Sequence, residues 1–155
     1  MRSSSAPSWR LAQTATLLLL APFNLLAALG MDMYLPVTPS MANVLHADAA
    51  TVQLTLTVYL VMLAAGQLLF GPLSDRWGRK PVLLAGALLF SVASFALTMT
   101  ISSGAFLVWR FAQACGAAAC MVAVFATVRD LYGGKPEGSV VYGTLGAMLA
   151  VMPAA

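Results

Sequence analysis

Five long apolar runs, separated by short polar segments, dominate the pattern of hydrophobic and polar positions along this chain. A helix that crosses a lipid bilayer needs about 20 mostly apolar residues, and the first four runs reach that length. The pattern therefore predicts an all-α membrane protein with about 4.5 transmembrane helices. We place the spans at residues 11–34, 50–70, 81–100, 105–128 and 139–155.

Helix-breaking residues are expected to set the ends of these spans. Pro36 and Pro39 are expected to disturb or end the first span, and the pair Gly71-Pro72 to end the second. The first run is too long for a signal peptide and is followed by further spans, so we interpret it as uncleaved. The fifth run is still apolar at the last residue, and we expect the chain to be cut within that helix.

The composition excludes a typical soluble domain. Hydrophobic residues make up 61% of the chain and charged residues 8%, with a mean hydropathy of +0.88, whereas soluble domains carry about 25% charged residues. No set of nucleophile and base and no cluster of metal ligands is visible in the sequence. We therefore expect neither an enzyme nor a metal site, and no nucleic-acid partner despite the pI of 9.2.

Basic residues flank the predicted spans on one side only. The loops after the first and third spans contain no Lys or Arg. By the positive-inside rule, residues 1–10 form a cytoplasmic N-terminus. Seven of the eight basic residues lie on the predicted cytoplasmic side: Arg2, Arg10, Arg76, Arg79, Lys80, Arg129 and Lys135.

Asp32 and Arg110 are the only charged residues inside the apolar runs. A charge at the bilayer centre costs about 2.5–3.5 kcal/mol on insertion scales and is tolerated where it faces a cavity or a partner. Both lie in the outer half of their spans, so we expect them to be close, directly or through Gln113 on the same face as Arg110. This predicts a transport protein, and the alternative is an ion pair that only fixes helix packing.

Polar residues also recur on one helical face of the second span. Such a face bonds to a neighbouring helix or lines a water-filled path, and the sequence leaves both open. The face consists of Gln53, Thr57, Leu60, Ala64 and Gln67. Small residues in the later spans, Gly116, Gly143 and Gly146 among them, indicate close helix packing.

The segment at 71–81 reads GPLSDRWGRKP and resembles the signature between helices two and three of the major facilitator superfamily, G-x-L-[SA]-D-R-x-G-R-[KR]-P. The resemblance implies the N-terminal part of that fold. It also implies that the segment is a conformational switch loop, in which the aspartate meets a helix of the other half of the transporter. The implied switch residues are Gly71, Asp75, Arg76, Gly78 and Arg79, with Asp130 as the acidic partner of Arg79.

Two further segments narrow the resemblance. Residues 110–116, RFAQACG, resemble the helix-four motif R-x-x-Q-G-x-G and depart from it at Ala114. Residues 21–36, APFNLLAALGMDMYLP, look like the drug/proton antiporter branch that contains the bicyclomycin exporters and, within it, the chloramphenicol and florfenicol exporters. Asn24 stands where those phenicol exporters usually have Asp, and an amide cannot titrate.

This resemblance implies proton-coupled efflux of phenicol antibiotics across the bacterial inner membrane by alternating access, within a transporter of about 12 spans. The implied partners are a small lipophilic drug, protons, membrane lipid and the missing C-terminal half, and the proton gradient replaces any cofactor. The alternatives are an exporter of another drug, a nutrient importer, or a truncated remnant that transports nothing.

The resemblance also implies the site. Asp32 would carry the proton, with Arg110, Gln113 and Asn24 contributing to coupling or substrate binding. The residues expected to line the cavity are Tyr34, Gln53, Thr57 and Tyr59.

Overall fold

The computed structural model describes residues 8–32, 34, 36, 38–44, 47–133 and 136–151, and within these ranges the chain forms helices and no strand. Four of the helices, α1, α3, α4 and α5, are long and apolar enough to cross a membrane. The protein is therefore an all-α, multi-pass membrane protein. The helices are α1 (Ser8–Asp32), α2 (Thr38–Val44), α3 (Ala49–Trp77), α4 (Arg79–Met99), α5 (Ser103–Tyr132) and α6 (Pro136–Val151).

The second long helix corrects the expectation that Gly71 and Pro72 would end it. α3 continues through both residues to Trp77, where Gly78 adopts a φ of 95° that residues with a side chain rarely take. The last turn of α3 is held from outside the helix, because Arg79 donates to the hydroxyl of Ser74 over 2.6 Å. Pro72 removes one backbone hydrogen bond from α3 without ending the helix.

The other helices also differ from the predicted spans at their ends. α1 ends at Asp32, two residues before the predicted end, and the N–H of Tyr34 closes its last turn by donating to the carbonyl of Met31 over 3.1 Å. The short helix α2 was not predicted. Residues 1–7 of the predicted N-terminal segment and residues 152–155 of the fifth predicted span lie outside the described residues.

Helix α5 is the centre of the bundle, and α1, α3, α4 and α6 all pack against it. Close packing requires small side chains, and a Cβ on Gly116 would lie 2.6 Å from the carbonyl oxygen of Gly86 in α4. α3 and α4 make few contacts with each other. The buried small residues of α5 include Ala114, Gly116, Ala117, Ala118, Ala119, Cys120 and Ala123.

Several positions on α3, α4 and α6 are exposed in the described part of the chain. The polar face of α3 is exposed at Gln53, Thr57 and Gln67 in the described structure. Gly143 and Gly146 are exposed too, and no atom lies within 4 Å of a Cβ added at either position in the described structure. On α4 the exposed face is apolar, as expected next to lipid: Leu84, Leu88, Val92, Phe95 and Met99.

We expect Gly116→Ala to destabilise the bundle by about 1–3 kcal/mol, because the new methyl group overpacks the contact with α4. Gly143→Ala is the matched control: no atom lies within 4 Å of its added Cβ, and alanine is the better helix former. Equilibrium unfolding in mixed micelles measures both. Equal stability of the two variants would contradict the packing described here.

Candidate functional site

Arg110 lies at the middle of the bundle with 2% of its surface exposed. Its Nη1 donates to the backbone carbonyl of Gly30 over 2.9 Å and to Oε1 of Gln113 over 2.6 Å. Because an arginine stays charged in proteins, the surrounding groups must compensate a full positive charge.

The first compensating group is the C-terminal end of α1. The last four carbonyls of a helix have no partner within it and carry the negative end of the helix dipole. Gly30 supplies one of these carbonyls, two residues before α1 ends at Asp32. Arg110 therefore caps α1 from a neighbouring helix, and such a charged hydrogen bond contributes about 1.5–3 kcal/mol.

Two tyrosine rings provide the second compensation. The guanidinium carbon of Arg110 lies 4.0 Å from the ring centre of Tyr34 and 4.9 Å from that of Tyr59. The hydroxyl of Tyr59 donates to the carbonyl of Ala27 over 2.9 Å, and the hydroxyls of Tyr34 and Thr55 bond over 2.5 Å. A Cβ on Gly30 would lie 2.5 Å from the Tyr59 hydroxyl, so this position requires glycine.

Gln113 connects this group to α4. Its carbonyl oxygen accepts from Arg110, and its Nε2 donates to Oγ of Ser94 over 2.8 Å. The Ser94 hydroxyl in turn donates to the carbonyl of Phe90 over 2.7 Å. A single hydrogen-bonded chain thus runs from the end of α1 through α5 to α4.

Asp32 makes no ion pair with Arg110 in the described structure; Arg110 instead bonds to the carbonyl of Gly30, two residues before Asp32. The backbone of α1 is the nearer acceptor, and the two rings cover the faces of the guanidinium. Among the described residues, Oδ2 of Asp32 is buried without a hydrogen-bond partner, as are Nε and Nη2 of Arg110. The region therefore holds an uncompensated acceptor and two uncompensated donors.

A cavity of about 420 Å³ adjoins Arg110 and lies between α1, α4 and α5. Its wall is mostly apolar and aromatic, with a few polar groups, and its volume falls in the range of small-molecule sites. The residues around it include Gly30, Tyr34, Ser94, Phe106, Arg110 and Gln113.

Of the four residues expected to line the cavity, Tyr34 does so. Tyr59 is fully buried behind Arg110 and is not part of the wall. Gln53 and Thr57 are exposed on α3 and do not line this cavity, and the Thr57 hydroxyl donates to the backbone carbonyl of Gln53 over 3.2 Å. The helical periodicity placed them on one face correctly but did not show which way that face points.

Asn24 lies away from the cavity, in the contact between α1 and α6. Its Nδ2 donates to the carbonyl of Leu145 over 3.0 Å, and its Oδ1 is buried without a partner in the part of the chain described. An ionised aspartate, which only accepts hydrogen bonds, could not donate in this way.

The residues of the predicted switch loop converge at one end of the bundle, which we call the basic end: the turn between α3 and α4 together with the last turn of α5. Arg79 bonds to Asp75 over 2.5 Å and to Asp130 over 2.8 Å, and Arg129 lies 3.5 Å from Asp75. The Arg79–Asp130 contact is the one that the motif implies. Gly78 forms the turn, whereas Gly71 is an ordinary helical residue of α3. Arg76 is exposed.

Three contributors to the site were missed from the sequence. The carbonyl of Gly30 accepts from Arg110, and the hydroxyl of Thr55 bonds to that of Tyr34. The hydroxyl of Ser94 accepts from Gln113. Thr55 and Ser94 are polar residues in apolar runs and could have been found by that signal. The role of Gly30 depends on its backbone carbonyl, and because every residue has one, the sequence could not predict this role.

The architecture defines a membrane bundle with a cationic, largely apolar cavity, as in a transporter of small molecules. Residues 20–155 match the sequence profile of the Major Facilitator Superfamily. The chain belongs to this superfamily, a family of transporters rather than enzymes.

Named relatives share the chain's sequence over most of its length. It is 62% identical over 152 residues to a chloramphenicol resistance protein of Pseudomonas aeruginosa, covering 98% of this chain and 36% of that protein. It is 43% identical over 111 residues to the multidrug resistance protein MdtL of Shewanella oneidensis, covering 72% of this chain and 28% of that protein. The chain thus spans about a third of the length of these relatives.

The arginine site yields a stability prediction. The effects of Tyr34→Leu and Arg110→Met on the free energy of unfolding are expected to be non-additive by about 0.5–2 kcal/mol. Either change alone removes the same cation–π contact. Tyr34→Phe keeps the ring and should keep most of that coupling. Unfolding of the two single variants and the double variant in mixed micelles gives the coupling energy.

The control pair combines Arg110→Met with Thr127→Val, 17 residues along α5 and about 25 Å away. Distant sites add within about 0.5 kcal/mol. Additive effects for Arg110 and Tyr34 would show that the ring contributes nothing to holding the charge.

Proposed function

We propose that this chain forms the first part of the N-terminal half of a proton-coupled drug exporter in the bacterial inner membrane, with its N-terminus in the cytoplasm. We further propose that its substrates are phenicol antibiotics such as chloramphenicol and florfenicol. The observation that carries the proposal is the buried Arg110, with two uncompensated nitrogen atoms, beside a cavity of about 420 Å³.

The wall of the cavity supports a small, mostly apolar substrate with a few hydrogen-bonding groups. Aromatic and aliphatic side chains provide most of the contact, and Arg110 and Gln113 provide polar groups at one side. The sequence identity to a protein named for chloramphenicol resistance supports the phenicol class. Export of another drug is the second candidate, supported by the similarity to the multidrug resistance proteins.

Asp32 supports the coupling to protons. Its Oδ2 is buried with no hydrogen-bond partner among the described residues, and Asp32 is the one carboxylate within the predicted spans, where acidic residues mark proton pathways. Gain or loss of the negative charge would change the balance around Arg110, whose present acceptors are the end of α1 and Gln113. Asn24 cannot substitute for this role, so the proposed coupling rests on Asp32.

A chimera tests the proposed export. Residues 1–155 replace the aligned segment of the Pseudomonas relative, and the product is expressed in a drug-sensitive bacterium. We expect resistance to chloramphenicol and florfenicol, and reduced accumulation of labelled chloramphenicol that a protonophore restores.

The chain expressed by itself, without the rest of the relative, controls for effects of membrane insertion alone. The chimera with Arg110→Met controls for the site. A chimera that reaches the membrane in normal amount but confers no resistance to either phenicol would contradict the proposed substrate class, and resistance to other drugs would favour the second candidate.

Asp32→Asn tests the coupling within the same chimera. We expect accumulation of drug to rise to the level of cells without a transporter, because the amide cannot take up and release a proton. Asp48→Asn is the matched control: Asp48 is exposed and caps α3 through the N–H of Thr51, a role that asparagine also fills. Normal protonophore-sensitive export by Asp32→Asn would exclude Asp32 as the coupling residue.

A further inference from the structure

A second cavity lies on the outside of the bundle, near the basic end. It measures about 240 Å³ and is formed where α3 and α4 diverge over α5, separate from the cavity beside Arg110. The gap exists because its floor is built from small residues, Gly86 of α4 and Ala119 of α5, while the two walls make few contacts with each other.

The walls of this groove are apolar throughout. Phe70, Leu73 and Trp77 stand on successive turns of α3, and Ala85 and Leu89 stand on α4. Trp77 is 65% exposed and Leu89 is 39% exposed, so the groove is open at the surface beside the exposed apolar stripe of α4. An acyl chain matches a narrow apolar groove of this kind in shape and polarity.

Two basic side chains lie beside the groove and indicate that its ligand carries a negative charge. Arg76 lies one helical turn beyond Leu73 on the same face of α3, and Lys80 directly precedes Pro81 in the groove wall. Both side chains are exposed, and neither forms an ion pair or side-chain hydrogen bond within the described part of the chain. Arg79 between them is occupied by Asp75 and Asp130.

We propose that this groove binds one acyl chain of an anionic phospholipid, with the lipid phosphate held by Arg76 and Lys80. Trp77 at the rim fits the interfacial position of the lipid glycerol region. Each basic residue near an anionic lipid surface adds attraction, and two of them distinguish an anionic from a zwitterionic headgroup. The inference does not depend on the exported substrate.

Native mass spectrometry of the purified chimera tests this site with phosphatidylglycerol and phosphatidylcholine of identical acyl chains. We expect retention of one phosphatidylglycerol in clear preference to phosphatidylcholine. The pair of changes Arg76→Gln and Lys80→Gln should lower this preference by about tenfold or more. Arg129→Gln removes an exposed cation from the same end of the bundle, away from the groove, and should leave the preference unchanged.

The groove itself is tested by filling it. Ala85→Leu should reduce retention of both lipids by roughly fivefold, because the larger side chain displaces contacts of the acyl chain. Ser91→Leu, on an exposed part of α4 outside the groove, is the matched control. If Ala85→Leu does not purify as a single species, the smaller change Ala85→Val serves in its place.

Three outcomes would overturn the proposal. One is equal retention of the two lipids by the unmodified protein. Another is wild-type retention of phosphatidylglycerol by the filled variant. The third is displacement of the lipid by excess glycerol phosphate, which would show that the cations bind a free phosphate and that the groove holds no chain. Loss of export in the chimera with lipid retention intact would count against the proposed function alone.

Discussion

The buried guanidinium of Arg110 is the constraint on which the centre of this structure depends. A permanent charge with 2% exposure must be balanced inside the bundle, and no carboxylate bonds to it in the described structure. The balance comes from a helix end, an amide and two aromatic rings. Each of these partners then constrains its own neighbourhood.

The constraints can be followed residue by residue. α1 must end near Asp32 so that the carbonyl of Gly30 is free to accept from Arg110. Position 30 must be glycine so that the Tyr59 hydroxyl can reach the backbone of α1. Gln113 must point its carbonyl at Arg110, which leaves its amide nitrogen to donate to Ser94. One charge thereby fixes the relative positions of α1, α3, α4 and α5.

The basic end and the surroundings of Arg110 differ in how far their charged groups are exposed to water. At the basic end, Asp75 and Asp130 are about half exposed, so water and salt screen each pair and a single ion pair contributes little. Such contacts can exchange at small cost, which suits a segment proposed to change partners during transport. Arg110 is almost fully buried, so each of its unpaired atoms carries a larger penalty. The uncompensated donors of Arg110 and the free oxygen of Asp32 are therefore the groups that a substrate or a proton would satisfy under the proposed function.

The sequence by itself determined the class of fold, since apolar runs of sufficient length allow little but membrane helices, and the 71–81 motif correctly indicated the superfamily. It also marked Arg110 and Gln113, because polar groups are costly among apolar residues. It could not determine that Arg110 would bind a backbone carbonyl instead of Asp32, that α3 would pass through Pro72, or that Gln53 and Thr57 would be exposed. Those outcomes depend on helix rotation and on contacts between residues as distant in sequence as Gly30 and Arg110. A periodic pattern predicts which residues share a helical face, but not which other residues that face contacts.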